Sequence, residues 1–445
     1  MSRHLITLTY EYLARIHDHV AVHAETLPNG SRRKLAKDLE ELFAFAKQDY
    51  FGQIDGQSEE QVEFLSRLFM DSADQLVRFF FPLFDSPEVP AVLNHLTLPM
   101  LRYSPPNSQC VALVPSTDEV NFGTQMFRLT WAWNVLASNT NVAERNLDQT
   151  LNYFISYPQP LGNDLLSLTV FGHEVAHVWF SSCEGGQKLS ELIGTLDPAA
   201  LAAAALTLNL GPNSIEESDY FFEVQQKALK WAEEIVCDIV AIHLLGPAVL
   251  FAFERTIQLS GGHKGATDFG RRDNTHPDSR WRCRIMLEQL RDNGFPFEVG
   301  EDAVLRGVLG ELHFLAKRDM SHEPTFADQG DAVIYRAIES ARANLMARLV
   351  AEMQIPALRF ATVIEQVPPI ASEYEIGHIV SDRWEADGSV PLHTSAILLA
   401  LWEVYLRQKN DDTVHPQELR SYEVNLSAQV AKSMSSAETL HYWRT

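Results

Sequence analysis

The chain has 445 residues, with 36 Lys and Arg against 59 Asp and Glu, so its formal net charge at pH 7 is −23. A typical domain size of about 150 residues predicts two or three domains. The 46% hydrophobic and 21% charged residues are ordinary for a globular protein. The acidity argues against nonspecific binding to DNA or to anionic lipid, because both require a basic surface.

Amphipathic helices dominate the N-terminal part of the predicted secondary structure. Residues 31–50 carry apolar side chains at spacings of three and four, which is a helical stripe: Leu35, Leu39, Leu42 and Phe45. Residues 58–83 continue the pattern. Two short segments are predicted to be extended, 110–115 because it is apolar and ends at Pro, and 151–157 because it is aromatic and precedes a breaker cluster.

The middle and the C-terminal part also read mainly as helix. We predict a strongly apolar helix over 163–181 and a long helix over 218–245 that Gly246 and Pro247 end. Further helical stretches are predicted after a loop at Gly185-Gly186 and towards the C-terminus: from Asp197, over 337–353 and over 394–406. Residues 262–284 contain six Lys or Arg and three Asp, so this stretch is basic within an acidic protein. This stretch either binds an acidic substrate or is a solvated surface segment.

The cysteines and the N-terminal segment indicate a cytoplasmic chain. The four cysteines form no CxxC pair, so we expect reduced, mostly buried thiols: Cys110, Cys183, Cys237 and Cys283. Charged residues interrupt the apolar positions of the first 20 residues, which is not typical of a signal peptide. No uncharged apolar run reaches the ~18 residues that a membrane span requires. We therefore expect a soluble cytoplasmic protein.

The sequence FGHEVAHVWF at 171–180 contains the motif HExxH. On a helix, His173 and His177 lie one turn apart on the same face, so both imidazoles can bind one Zn²⁺. Glu174 flanks the metal rather than binding it, and there a carboxylate can take a proton from the attacking water. The surrounding helix is apolar, so unpartnered His and Glu would be costly to bury. The alternative is a core helix with hydrogen-bonded histidines.

A catalytic zinc needs a third protein ligand. The metzincin continuation is excluded, because Phe180 and Cys183 stand where Gly and His are required. The best candidate is Glu234, on a later apolar helix. Asp238 shares its helix face and would accept a hydrogen bond from the free ring nitrogen of a ligand histidine. Glu233 competes with Glu234 for the ligand role but has no carboxylate four residues on.

The order HExxH followed by ExxxD resembles the gluzincin metallopeptidases. The segment THPDSRWR, from Thr275 to Arg282, is similar to the HPxxxxR element that follows the zinc helices in the HtpX and CAAX prenyl protease family. The resemblance implies that His276 stabilises the oxyanion or organises the cleft, and that Arg282 holds an Asp or backbone nearby. A second His-Pro pair, His415-Pro416, lies outside this order, and we assign no role to it.

The resemblance covers roughly residues 150–290 and departs from that family in one respect. Its familiar members are embedded in membranes, whereas this chain has no predicted span. In gluzincins a strand just before the zinc helix pairs with the peptide substrate by edge addition, which would be 151–157 here. The segment Glu234 to Pro247 also resembles the ImmA/IrrE peptidases, which are soluble and cleave regulators but generally lack the HPxxxxR element.

The motifs predict a predominantly helical α+β fold with a zincin-like metallopeptidase core and a small sheet. The expected regions are a helical N-terminal region (1–150), the catalytic core (151–295) and a helical C-terminal region (296–445). Neither border is marked by a Pro/Gly/Ser linker.

The leading functional hypothesis is a soluble zinc endopeptidase that acts on a protein or peptide substrate, with no nucleic acid and no membrane span. One alternative is an ImmA/IrrE-like protease that cleaves a regulator or partner protein. Another is a catalytically silent scaffold or binding protein that zinc stabilises. The long flanks also allow a latent protease controlled by a regulatory protein partner.

Overall fold

A computed structural model describes most of the chain. The described residues are 2–27, 30–85, 108–116, 122–137, 150–162, 164–181, 215–259, 276–297, 305–324, 326, 331–332, 334–340, 342, 360–380, 393–411 and 413–444. The predicted helix from Asp197, the loop at Gly185-Gly186, Cys183 and Thr275 lie outside them. Of the predicted helix over 337–353, only 337–340 and Arg342 are described, and these are helical.

The chain divides into two compact units. The first comprises Met1–Val89, Pro105–Ser116 and Gly123–Tyr157, and the second comprises Pro90–Ser104, Thr117–Phe122 and Pro158–Thr445. The sheet strands fall in the first unit and the HExxH segment in the second. The division into three regions at 150 and 295 stays a prediction.

The first unit packs helices against a three-stranded sheet. Its helices are α1 (Ser2–Thr26), α2 (Ser31–Ile54), α3 (Glu59–Asp85) and α4 (Leu129–Ala137), and its strands are β1 (Ser108–Ser116), β2 (Gly123–Phe127) and β3 (Leu151–Pro158). The predicted stripe of α2 is largely confirmed, since Leu35, Leu39 and Leu42 are buried, although Phe43 is buried more fully than Phe45. Both predicted extended segments are strands.

The strand order corrects one expectation. The order is β1-β3-β2, and β2 pairs antiparallel with β3. The segment 151–157 therefore forms the central strand of the described sheet. The expectation that it offers a free edge to a substrate is wrong, because its neighbours on both sides already use its backbone hydrogen-bonding groups.

The second unit is helical in its described residues. After a single 3₁₀ turn (Gln159–Leu161) its helices are α5 (Leu165–Leu168), α6 (Phe171–Ser181), α7 (Ile215–Leu245), α8 (Pro247–Leu259), α9 (Ser279–Asp292), α10 (Arg306–Asp319), α11 (Phe360–Glu375), α12 (Thr394–Lys409) and α13 (Pro416–Arg444). The predominantly helical α+β class with a small sheet is confirmed. No helix among the described residues is both long and apolar enough to cross a membrane.

The apolar segment predicted as one helix over 163–181 is two helices. Asp164 caps α5, where its carboxylate accepts hydrogen bonds from the backbone and the hydroxyl of Ser167. At Val170 and Gly172 the backbone hydrogen bonds reach back only three residues. This tight turn ends α5, and α6 starts at Phe171.

Glu403 joins α12 to the start of α10. It is fully buried, and its two carboxylate oxygens accept hydrogen bonds from the backbone nitrogens of Gly307 and Val308, at 3.1 and 2.7 Å. Arg407 donates to the same carboxylate from Nε at 2.6 Å. A carboxylate at a helix N-terminus satisfies amides that have no partner within the helix.

Gly307→Ala should destabilise the protein by about 1–3 kcal/mol, because a close-packed contact has no room for an added methyl group. A Cβ at Gly307 would lie 2.9 Å from the backbone oxygen of Glu403. The matched control is Gly310→Ala in the same helix, where a Cβ meets nothing within 4 Å. That change should stabilise the helix by about 0.5–1 kcal/mol. Urea denaturation measures both, and equal stability of the two variants would contradict the close approach of α10 to α12.

Candidate metal centre

The first two turns of α6 present the HExxH residues from an apolar helix. Its other side chains in this stretch are fully buried: Phe171, Val175, Ala176 and Val178. His173 and Glu174 are themselves buried, and His177 is half-buried. The apolar stripe fixes the rotation of the helix, so all three polar side chains have defined positions.

Gly172 permits a close approach between α6 and α7. A Cβ at this position would lie 2.8 Å from Leu245 Cδ1 and 3.6 Å from Ala241 Cβ. The long helix α7 then ends at Gly246, whose φ of +66° is the left-handed conformation that glycine adopts most easily. This packing brings the carboxylates of α7 opposite the imidazoles of α6.

Three side chains from these two helices converge on one point. The Nε2 atoms of His173 and His177 lie 3.1 Å apart. Glu234 Oε2 lies 3.4 Å from His173 Nε2, and Glu234 Oε1 lies 3.5 Å from His177 Nε2. Each oxygen of this carboxylate thus faces one imidazole.

The opposite nitrogen of each ring faces a second carboxylate. His173 Nδ1 lies 2.9 Å from Asp238 Oδ1, and His177 Nδ1 lies 2.9 Å from Glu233 Oε1. A carboxylate at Nδ1 favours a proton on that nitrogen, so Nε2 is the nitrogen that would lose its proton and bind a metal.

Arg282, on α9, neutralises part of this negative charge. Its Nε and Nη2 donate to the two oxygens of Asp238 at 2.7 and 2.8 Å, and its Nη1 lies 3.1 Å from Glu234 Oε2. The guanidinium also lies 4.5 Å from the ring centre of Phe253. α9 begins at a cap in which Asp278 accepts from the backbone nitrogen of Trp281 at 2.8 Å.

The cluster is open on one side. His276 Nε2 lies 3.6 Å from Glu234 Oε1, and the side chain of His276 is 45% exposed. Glu233 is 29% exposed, whereas Asp238 on the opposite side is 2% exposed. Among these side chains, the solvent-exposed side of the cluster is therefore the side of His276 and Glu233.

The electrostatics of the cluster favour a bound cation. Burial lowers the pKa of His173, but the carboxylates of Asp238 and Glu234 outweigh burial and raise that pKa to about 10. Burial raises the pKa of Glu234, yet Arg282 and His173 hold it well below its usual value. Against the effect of burial, Arg282 lowers the pKa of Asp238 as well, so these two carboxylates stay ionised and attract positive charge beyond that of Arg282.

The donor set fits zinc. Zinc bonds of about 2.0–2.2 Å in a tetrahedron separate neighbouring ligand atoms by about 3.3 Å. The two Nε2 atoms lie 3.1 Å apart, and a different oxygen of Glu234 approaches each of them, at 3.4 and 3.5 Å, which is close to that value. In addition, Glu234 Oε2 is buried without a hydrogen bond of good geometry, so it has the capacity for a metal.

Glu174 is a further carboxylate close to the imidazoles. Its carboxylate and one ring nitrogen of each of the two histidines all lie within 4.8 Å of one another. Glu234 is the better candidate for the third ligand, because one of its oxygens faces each Nε2 atom, at 3.4 and 3.5 Å. That assignment leaves Glu174 beside the centre.

The structure brings together every site residue that the sequence singled out. His173, Glu174, His177 and Glu234 surround the convergent point, and Asp238, His276 and Arg282 contact them. Sequence reasoning missed the contact of Glu233 with His177, since it weighed Glu233 only as a competing ligand. The sequence carried one sign of this contact, since Glu233 directly precedes the proposed ligand Glu234.

Three other features that the sequence pattern singled out have structural roles in the part of the chain that is described. Of the basic stretch 262–284 only residues 276–284 are described, and there Arg280, Arg282 and Arg284 form ion pairs with carboxylates of the same unit. His415 accepts from the backbone nitrogen of Gln417, at the start of α13. Burial raises the pKa of the Cys237 thiol well above its usual value, which favours core packing over metal binding.

Comparison with family models, with curated proteins and with solved structures finds no match for this chain. Inferences about its function therefore rest on the geometry of the site.

Arg282→Ala should destabilise the protein by about 3–5 kcal/mol, because it leaves buried carboxylates without their cation. Arg291→Ala is the matched control, since Arg291 is an exposed residue of the same helix. The control should change stability by no more than about 0.5 kcal/mol. Urea denaturation of both metal-free variants measures the difference, and similar values would show that Asp238 and Glu234 do not depend on Arg282.

Proposed function

We propose that this chain is a zinc-dependent endopeptidase, a metalloprotease of the gluzincin type with a zincin-like core. The observation that carries the proposal is the convergence of two Nε2 atoms and the Glu234 carboxylate beside Glu174. The sequence order HExxH, ExxxD and HPxxxxR supports it. A protein or peptide substrate and a cytoplasmic location belong to the same proposal.

His173, His177 and Glu234 would hold the metal. Bound zinc would polarise the substrate carbonyl and lower the pKa of water to about 7. Asp238 and Glu233 hold the two imidazoles in the orientation and tautomer that ligation requires.

Glu174 acts as the general base. It is buried beside the two histidines, and its carboxylate takes a proton from the attacking water. It then passes that proton to the leaving amine, so one side chain serves both halves of the hydrolysis. A buried position keeps bulk water from competing for the proton.

His276 stabilises the developing oxyanion from the open side of the site. Its half-exposed imidazole lies 3.6 Å from Glu234 Oε1, next to the convergent point. A donor fixed in that position is worth more than a solvated one, because it needs no reorganisation during the reaction. Arg282 keeps its contact with Asp238 and Glu234 and positions the ligands without touching the substrate.

A second candidate function is a catalytically silent scaffold. The observation that favours it is the burial of the ligands between α6 and α7, where zinc would also join the two helices. The two candidates differ at Glu174, which a purely structural site does not need.

Glu174→Gln should keep the bound zinc and reduce peptide cleavage by about 10²–10⁴-fold, as expected for loss of a general base. Mass spectrometry of new N-termini, after incubation of the zinc-loaded proteins with a proteome extract, measures cleavage. The control is Glu41→Gln, which changes an exposed carboxylate on α2. Equal cleavage by wild type and Glu174→Gln, or none by either, would favour the scaffold.

Substitutions at two adjacent residues should separate ligation from positioning. Glu234→Gln should remove tight zinc binding, whereas Glu233→Gln should keep zinc and weaken its affinity by about 10–100-fold. Competition with a chromogenic chelator measures both affinities. The reverse order of effects would make Glu233 the ligand.

A further inference from the structure

A second pair of histidines lies on α1, in the first unit. His19 and His23 are four residues apart, and their Nε2 atoms face each other at 3.3 Å. Both side chains are half-buried. Two histidines at this helical spacing can bind one metal ion together.

The geometry of this pair closely matches that of the HExxH pair. The ring centres are 4.8 Å apart in both pairs, and the angle between the ring planes is 66° for His19 and His23 against 80° for His173 and His177. The separations of the Nε2 atoms, 3.3 and 3.1 Å, are also similar. In both pairs, two imidazole nitrogens are already at the spacing of neighbouring zinc ligands.

Two phenylalanines of α3 hold the rings in place. His19 stacks on Phe81 with ring centres 4.2 Å apart, and His23 stacks on Phe84 with ring centres 5.5 Å apart. The ring planes are inclined by 23° in both stacks. Stacking limits rotation of the imidazoles, so little conformational entropy remains to be lost on ligand binding.

We propose that His19 and His23 form a second site for a divalent transition-metal ion. Each ring binds through Nε2 with its proton on Nδ1. In the metal-free pair one Nε2 donates its proton to the other, so binding moves the proton of the donor ring to its Nδ1. Imidazole ligands suit Zn²⁺ and Cu²⁺, and Cu²⁺ binds more tightly than Zn²⁺ to a given nitrogen site.

The α1 site has fewer protein ligands than the HExxH centre. Where the structure describes the chain, a group of three convergent ligand residues occurs only at His173, Glu174 and His177. Water or an incoming ligand would fill the coordination positions that no described residue supplies. With two protein donors, this site binds Zn²⁺ more weakly than the three-ligand centre does.

Equilibrium dialysis of the full chain against Zn²⁺, and separately against Cu²⁺, tests the proposal. The background variant His173→Ala/His177→Ala removes the HExxH pair, so any remaining specific site is counted alone. In this background we expect one Zn²⁺ per chain, and the added changes His19→Gln or His23→Gln should each lower the Zn²⁺ affinity by at least 10-fold. His17→Ala is the matched control on the same helix, because its ring contacts Asp18 and is not part of the pair.

Circular dichroism checks that the variants are folded. If His19→Gln does not fold, His23→Gln and Phe81→Leu provide the test, since Phe81→Leu keeps both ligands and removes the stacking. We expect Phe81→Leu to weaken binding several-fold. Unchanged Zn²⁺ and Cu²⁺ affinities in folded His23→Gln, or no binding by the background variant, would overturn the proposal. Neither result depends on whether the HExxH centre is catalytic.

Discussion

The pairing of Arg282 with Asp238 and Glu234 is the interaction on which the candidate centre depends. Two buried carboxylates four residues apart on α7 would repel each other and favour protonation, and protonated groups neither orient an imidazole nor bind zinc. The guanidinium reaches both of them from α9, at 2.7 and 3.1 Å. It keeps them ionised in a buried position, so α9 is as necessary to the site as the two helices that carry the ligands.

The carboxylates at the two Nδ1 atoms also determine which side of the cluster is exposed to solvent. Asp238 and Arg282 close the inner side of the cluster, while Glu233 and His276 border the outer side and are partly exposed. Glu174 is buried beside the two histidines, where the proposed hydrolysis requires a carboxylate and a purely structural zinc site does not.

The sequence predicted features that depend on local spacing better than features that depend on contacts between distant segments. HExxH and ExxxD depend on helical spacing, which is local, and this spacing placed His173, His177 and Glu234 correctly on helix faces. The central position of β3 was not predictable, because strand order is set by hydrogen bonds between distant segments. The turn that separates α5 from α6 was not predicted either, because both helices are apolar and no Gly or Pro lies between them. The contact of Glu233 with His177 depends on how α6 and α7 pack.

The two histidine pairs show how the facing helix would distinguish a three-ligand metal site from a two-ligand one. Both pairs have the same helical spacing and nearly the same geometry, so the i, i+4 relation alone fixes two donors. What differs is the facing helix. α7 places Glu234 opposite His173 and His177, whereas α3 places Phe81 and Phe84 against His19 and His23. An ionised carboxylate adds negative charge and a third ligand atom, whereas a phenyl ring only restricts the orientation of the imidazole. Affinity and reactivity are therefore set by the packing partner more than by the helix that bears the histidines.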